Sequence, residues 1–168
     1  DLDSQTSAGE VEPYGLEAGW NHQFALTPAL SLPMALTYTW TQAEFNESFV
    51  STDPQFGAVE AGFELPYLPE HRANARLGVA GAKWGADLSV SYLSRMRDRA
   101  GRGSFSDGEG SDDYVLFDLA ARYQVLPRLE LNGRIDNLLD EEYVVARRPF
   151  GARPGKPQSI QVGVVYRY

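Results

Sequence analysis

The stretch Tyr14-Gly15-Leu16-Glu17-Ala18-Gly19-Trp20-Asn21-His22-Gln23-Phe24 decides how this chain is read. Its even positions are Tyr14, Leu16, Ala18, Trp20, His22 and Phe24, apolar except for His22. Its odd positions are Gly15, Glu17, Gly19, Asn21 and Gln23, all polar or small. Successive side chains of a strand point to opposite faces, so a period of two sorts these residues into one apolar and one polar flank. A helix would scatter the same residues around its circumference. The segment is a strand.

The pattern returns six times along the chain. Leu32, Met34, Leu36, Tyr38 and Trp40 alternate with Pro33, Ala35, Thr37, Thr39 and Thr41; Ala73, Ala75, Leu77 and Val79 alternate with Asn74, Arg76, Gly78 and Ala80. Trp84, Ala86, Leu88, Val90 and Tyr92 oppose Gly85, Asp87, Ser89 and Ser91. Val115, Phe117, Leu119, Ala121, Tyr123 and Val125 oppose Asp118, Ala120, Arg122 and Gln124. Leu129, Leu131 and Ile135 oppose Glu130, Asn132, Arg134 and Asp136; Ile160, Val162, Val164, Tyr166 and Tyr168 oppose Gln161, Gly163, Val165 and Arg167. Each run is about 9 to 12 residues, the length of a tilted strand crossing a bilayer.

Connections alternate in length. Thr27-Pro28, Gly81 to Lys83 and Leu126-Pro127 read as tight turns, while Ala43 to Arg72, Arg97 to Tyr114 and Leu139 to Pro157 are long and polar. Outer-membrane barrels have short periplasmic turns and long extracellular loops. With the last residue in the periplasm, all three turns fall inside and all three loops outside. Glu60 to Leu68 has strand character, but a strand there breaks this alternation, so it is read as loop or strand extension. The polar flank carries Glu17, Arg76, Asp87, Asp118, Arg122, Glu130, Arg134, Asp136 and Arg167. In a soluble sandwich these face bulk water; in a barrel they line a wet lumen. Loop alternation and the aromatic tail favour the membrane.

Composition agrees. The 168 residues include no cysteine, which removes disulfides and thiolate metal sites. No run of about 20 apolar residues exists to cross a membrane as a helix. The mean hydropathy of -0.35 is compatible with a barrel, whose alternating faces average to a middling value. A net charge of -8 argues against nucleic acid. The opening at Asp1, without an initiator Met or a leader, is read as a processed product or a piece of something longer. Seven strands is an odd count, whereas single-chain bacterial barrels have even numbers. Unpaired sheet edges are not tolerated in lipid. The strands are therefore expected to need partners outside this chain.

The C-terminal 100 residues carry a family resemblance. Ile135-Asp136-Asn137-Leu138-Leu139-Asp140-Glu141-Glu142-Tyr143 resembles the Asn-Leu-Phe-Asp-x-x-Tyr signature of TonB-dependent receptors, with Leu139 where Phe is commoner. The motif residues are Asn137, Leu138, Asp140 and Tyr143. Leu68-Pro69-Glu70-His71-Arg72 resembles the family's Pro-x-His element, and Tyr114 to Asp118 with Arg122 and Tyr123 its Tyr-x-x-x-Asp…Tyr strand. The resemblance implies that residues 1–168 are the C-terminal portion of a barrel of about 22 strands, all-β and antiparallel, with plug and earlier strands absent. It implies uptake of a ferric chelate in the bacterial outer membrane, driven by TonB-ExbB-ExbD through the missing N-terminal part. The implied surroundings are lipid and lipopolysaccharide. No cofactor or resident metal is expected, since iron arrives as a chelate. Ile160, Val162, Val164, Tyr166 and Tyr168 resemble the C-terminal signal read by the barrel-assembly machinery, although any lipid-facing last strand has this look.

Arginines gather in two of the expected outer loops: Arg95, Arg97, Arg99 and Arg102, then Arg147, Arg148 and Arg153 with Lys156. The run Val145 to Pro157 resembles ferric dicitrate receptors. Their planar forks suit carboxylates, so Arg97, Arg99, Arg147, Arg148 and Arg153 are candidate ligand contacts. The competing readings are salt bridges to loop acids and contacts to lipopolysaccharide phosphates. The acidic run from Asp107 to Asp113 is a solvated loop or a calcium site, though its spacing fits no EF-hand. Neither histidine has a Ser or Asp arrangement suggesting a catalytic triad: His22 falls on the lipid-facing parity, and His71 is read as ordering a strand entry. An enzymatic barrel with acids at its rim, and a passive porin or adhesin, are the alternative classes; no catalytic residue is expected.

Overall fold

The computed structural model describes residues 9–53, 56–148 and 150–168. Its elements are β1 (Val11–Thr27), β2 (Leu30–Phe45), β3 (Phe49–Val50), β4 (Ala58–Val59), β5 (His71–Gly81), β6 (Trp84–Leu93), β7 (Tyr114–Leu126), β8 (Leu129–Asp136), β9 (Val144–Ala146), β10 (Arg153–Pro154) and β11 (Ser159–Tyr166). Seven of them form one antiparallel meander in the order β1-β2-β5-β6-β7-β8-β11. Two small hairpins, β3 with β4 and β9 with β10, stand apart in the long loops. The three tight turns fall where the sequence places them, and Glu60 to Leu68 is loop with an isolated bridge at Glu64.

Register is fixed by the apolar pattern, because a slip of one residue would turn a strand's whole apolar set to the other face. His22 lies opposite Met34, Met34 opposite Leu77, Leu77 opposite Leu88, Leu88 opposite Leu119, Leu119 opposite Ile135 and Ile135 opposite Ile160. One row thus crosses all seven strands, apolar on six of them and ending in His22 on β1. The row of Gly78, Asp87, Ala120, Arg134 and Gln161 runs along the other face. There Arg76 pairs with Asp87 at 2.8 Å and Arg134 with Asp118 at 3.6 Å.

Burial separates the membrane reading from the sandwich. The buried apolar residues Ala43, Phe45, Val59, Tyr143 and Ala146 all sit at the loop end, while Leu16, Leu36, Leu77, Ile160 and Val162 on the sheet face are exposed. A sandwich covers such a face with a second sheet; these strands make a single layer. Aromatics mark its two borders. Tyr14, Tyr38, Trp40 and Tyr92 lie toward the long loops, and Trp84, Tyr123 and Tyr166 toward the turns. Along β6, Trp84 and Tyr92 are separated by about 26 Å of strand at ~3.3 Å per residue, similar to the ~25 Å apolar band of outer-membrane barrels. The outer strands β1 and β11 each pair on one side only, so the sheet is open.

Two expectations are corrected. Strands β1 and β2 have 17 and 16 residues, beyond the expected length, because their ladder continues above the aromatic border into a small loop core. There Phe45 meets Phe49 at 5.3 Å and Phe56 at 6.0 Å. Strand β8 spans Leu129–Asp136, the residues that the alternation marks, and ends where Asn137 at φ 50° turns the chain out of the ladder; β11 likewise has 8 residues. Tyr168 lies past the end of β11, whose last partner pair is Tyr166 with Leu129, where β8 turns back toward β7. Ile160, Val162, Val164 and Tyr166 keep their place on the exposed apolar face.

Candidate functional site

The long loops do not hang free of one another. Arg97 is only 8 % exposed. Its Nε donates to Glu64 Oε2 at 2.8 Å and its terminal nitrogen to the Gly103 carbonyl at 2.7 Å. Tyr67 N donates to the Arg97 carbonyl at 3.0 Å, and Glu64 N to the Gly101 carbonyl at 2.7 Å. The first and second loops are thereby stitched by backbone and side chain together. The third joins them through Arg148, whose Nε donates to Asp98 Oδ2 at 3.1 Å and whose backbone N donates to the Tyr67 hydroxyl at 3.2 Å. Arg147 Nε donates to the Gly110 carbonyl at 2.7 Å, and Val144 N to Asp112 Oδ2 at 2.8 Å.

Between these stitches lies a depression of about 280 Å³ lined by Arg97, Asp98, Arg99, Arg102, Glu109 and Arg148 among others. Its cations are unequal. Arg97 and Arg148 are held by Glu64 and Asp98. Arg102 has a loose, exposed pairing with Glu60 at 3.7 Å. Arg99 is exposed and, among the described residues, makes no ion pair. Arg153 stands on β10, also exposed and without an ion pair among the described residues. Arg147 faces Asp112 at 3.6 Å, and Arg95 lies 4.2 Å from the Phe105 ring centre. The cationic depression thus brings Arg97, Arg99 and Arg148 together and leaves Arg153 on a separate hairpin.

The motif residues form a knot where β8 leaves the sheet. Asn137, 2 % exposed, donates through Nδ2 to the carbonyls of Glu141 at 2.9 Å and Lys156 at 3.0 Å. Its Oδ1 accepts from Glu141 N at 2.9 Å. Its backbone N donates to Asp118 Oδ1 at 2.9 Å, and Leu138 N to the Phe117 carbonyl at 2.6 Å. Asp140 Oδ1 accepts from Gln158 N at 3.1 Å, and the Leu138 carbonyl accepts from Gln158 Nε2 at 2.9 Å. Tyr143 lies 4.2 Å from Tyr114, ring centre to ring centre, and covers Gly155, where a β-carbon would collide with its ring. Beside the knot, the Asp136 carboxylate takes Arg134, Lys156, Ser159 and Gln161. These residues hold the return of the chain from β8 to β11.

Sequence reasoning did not single out Glu64, Tyr67 or Asp98, and it read Asp112 as part of an acidic run rather than as a partner of Arg147, because their arginine partners lie in other loops and no spacing links them. The acidic run binds its own surroundings: Glu109 accepts from Ser106 N at 2.9 Å, and Asp107 faces Arg95 at 3.7 Å. Among the described residues, no group of three or more His, Asp or Glu is placed to hold a metal ion. His71 begins β5. Its Nδ1 meets the Tyr38 hydroxyl at 2.9 Å and its Nε2 lies 3.8 Å from Glu70, while the Ser94 hydroxyl accepts from its backbone N at 2.9 Å. His22 stacks on Trp20 and meets Phe24 edge to face, on the apolar face.

A family model described as TonB dependent receptor-like, beta-barrel, matches residues 2–138. The vitamin B12 transporter BtuB of Photobacterium profundum is 30 % identical over 89 residues, covering 52 % of this chain and 14 % of that protein. The siderophore receptor PiuA from Acinetobacter baumannii superposes with a TM-score of 0.72 at 20 % identity, over 95 % of this chain and 22 % of the other. For the ferric yersiniabactin uptake receptor FyuA from Yersinia pestis the TM-score is 0.69 at 15 % identity, over 95 % and 24 % of the two chains. The chain therefore spans a small part of each of these relatives.

Proposed function

Because the chain belongs to the TonB-dependent receptor-like β-barrel family, we propose that it is the C-terminal part of a receptor that imports an anionic ferric chelate, ferric citrate before others. Its setting is the cell outer membrane, with the apolar rows against lipid and the polar rows against the lumen. Strands outside this sequence would pair with the open edges of β1 and β11 and enclose a plug. TonB, acting through a part of the receptor that precedes these strands, would supply the energy.

The observation that carries the ligand reading is the cationic depression. A chain of net charge -8 concentrates Arg97, Arg99, Arg102 and Arg148 around one cavity at its outer end. A local cationic mouth attracts an anion even on an acidic protein. Within the set, Arg99 and Arg102 are the cations free enough to meet a ligand, while Arg97 and Arg148 hold the loops in place. A neutral ligand would gain little from such a mouth, which favours a carboxylate chelate over a cobalamin.

The test is uptake of radiolabelled iron by cells carrying the full-length receptor as their single route for the chelate. Arg99→Glu with Arg102→Glu is expected to lower ferric citrate uptake at least tenfold while the barrel still assembles. Unchanged uptake of every anionic ferric chelate by that variant would remove the ligand assignment.

A further inference from the structure

The opposite end of the sheet carries a second, smaller concentration of positive charge. The turns 82–83 and 127–128 place Lys83 and Arg128 at the periplasmic rim, both exposed. They are neighbours by construction, since Gln124 N donates to the Lys83 carbonyl at 2.7 Å and Gln124 Nε2 to the Pro127 carbonyl at 3.1 Å. Arg167 joins them, its backbone N donating to the Arg128 carbonyl at 2.9 Å. The acid beside this group is Glu130, with Arg167 at 3.9 Å. Lys83 and Arg128 make no ion pair with any described residue. Directly above them on the lipid-facing parity stand Trp84 and Tyr123, register partners of each other and both exposed, with Leu126 and Tyr166 alongside.

We propose that this rim binds the phosphate headgroups of anionic phospholipids in the periplasm-facing leaflet. Trp and Tyr rings settle at the boundary between hydrocarbon and headgroups. That fixes the depth of the turns just below them, at the level of the phosphates. Long cationic side chains at that depth reach the interface while their stems stay against apolar surface. Each basic residue near an anionic surface adds favourable, screenable attraction. Two cations without protein partners, set under an aromatic border, are the complement of such headgroups. An acidic protein partner would fit the charges but not the adjoining exposed Trp84, Tyr123 and Leu126, which ask for hydrocarbon.

The proposal rests on the outer-membrane placement and not on the identity of the imported ligand. The full-length receptor, reconstituted in nanodiscs of phosphatidylcholine with a minor fraction of phosphatidylglycerol, would be examined by native mass spectrometry for retained lipid. Phosphatidylglycerol is expected to be enriched several-fold over its share of the bilayer. In Lys83→Gln with Arg128→Gln the enrichment should fall to near that share, and Lys83→Arg with Arg128→Lys should keep it. Absence of enrichment in the unaltered receptor, or equal enrichment in the Gln variant, would overturn the idea. The first comparison needs no substitution, so it decides even where the variant fails to fold. A receptor that enriches phosphatidylglycerol yet imports no ferric chelate leaves this inference intact and sinks only the ligand reading.

Discussion

Arg148 Nε lies 3.1 Å from Oδ2 of Asp98, a carboxylate whose side chain is only 4 % exposed. The pair joins the second and third outer loops, and Tyr67 of the first loop bonds the Arg148 backbone. Arg148→Ala would leave a buried carboxylate without its cation, a loss of about 3 kcal/mol or more. Hydrogen exchange should then quicken in residues 94–113 and 144–148 while β6 and β7 stay protected. Unchanged protection of both loops would show that the pair does not tie them.

Asn137 combines a positive φ with three side-chain hydrogen bonds. Asn137→Ala loses those bonds, at about 1 kcal/mol each, and also strains a backbone position that Ala resists. Asn137→Gly loses the bonds but keeps the φ freely. The Gly variant should be the more stable of the two by roughly 1 kcal/mol, read as thermal midpoints of the refolded receptor. Equal midpoints would remove the conformational part of this argument.

Gly155 is covered by the Tyr143 ring. Gly155→Ala must displace that ring from Tyr114, and overpacking of this kind costs about 1 to 3 kcal/mol. Combined with Tyr143→Leu, the same substitution should be far less damaging than the sum of the two alone, because both act on one contact. A double-mutant cycle that came out additive would contradict the packing described.

The two faces of β6 can be told apart by adjacent substitutions. Leu88→Arg puts a charge in the middle of the apolar row and should cost about 2 to 4 kcal/mol of folding into lipid. Ser89→Arg, one residue on, faces the lumen beside Asp118 and should be nearly neutral. Equal penalties, measured by denaturant titration in liposomes, would undo the assignment of faces.

The sheet was legible from the chain alone because a strand's side-chain period is two and lipid demands that every member of one flank be apolar. That pairing of period and solvent placed all seven strands, their faces and the three short turns; a slip at β5 or β6, for example, would set Arg76 or Asp87 against hydrocarbon. The lengths of β1 and β2 were not legible, because above the aromatic border the ladder is continued by Phe45 packing on Phe49 and Phe56 rather than by alternation. The cationic depression was legible only in part as composition: Arg97, Arg99 and Arg148 stood out in two loops and line it, whereas Arg147 and Arg153 stood out beside them and lie outside it. Which of them are tied down and which are free is a matter of tertiary structure. Glu64 and Asp98 reach Arg97 and Arg148 across loops that no local pattern connects, and ion pairs between distant segments leave no periodic trace in a sequence.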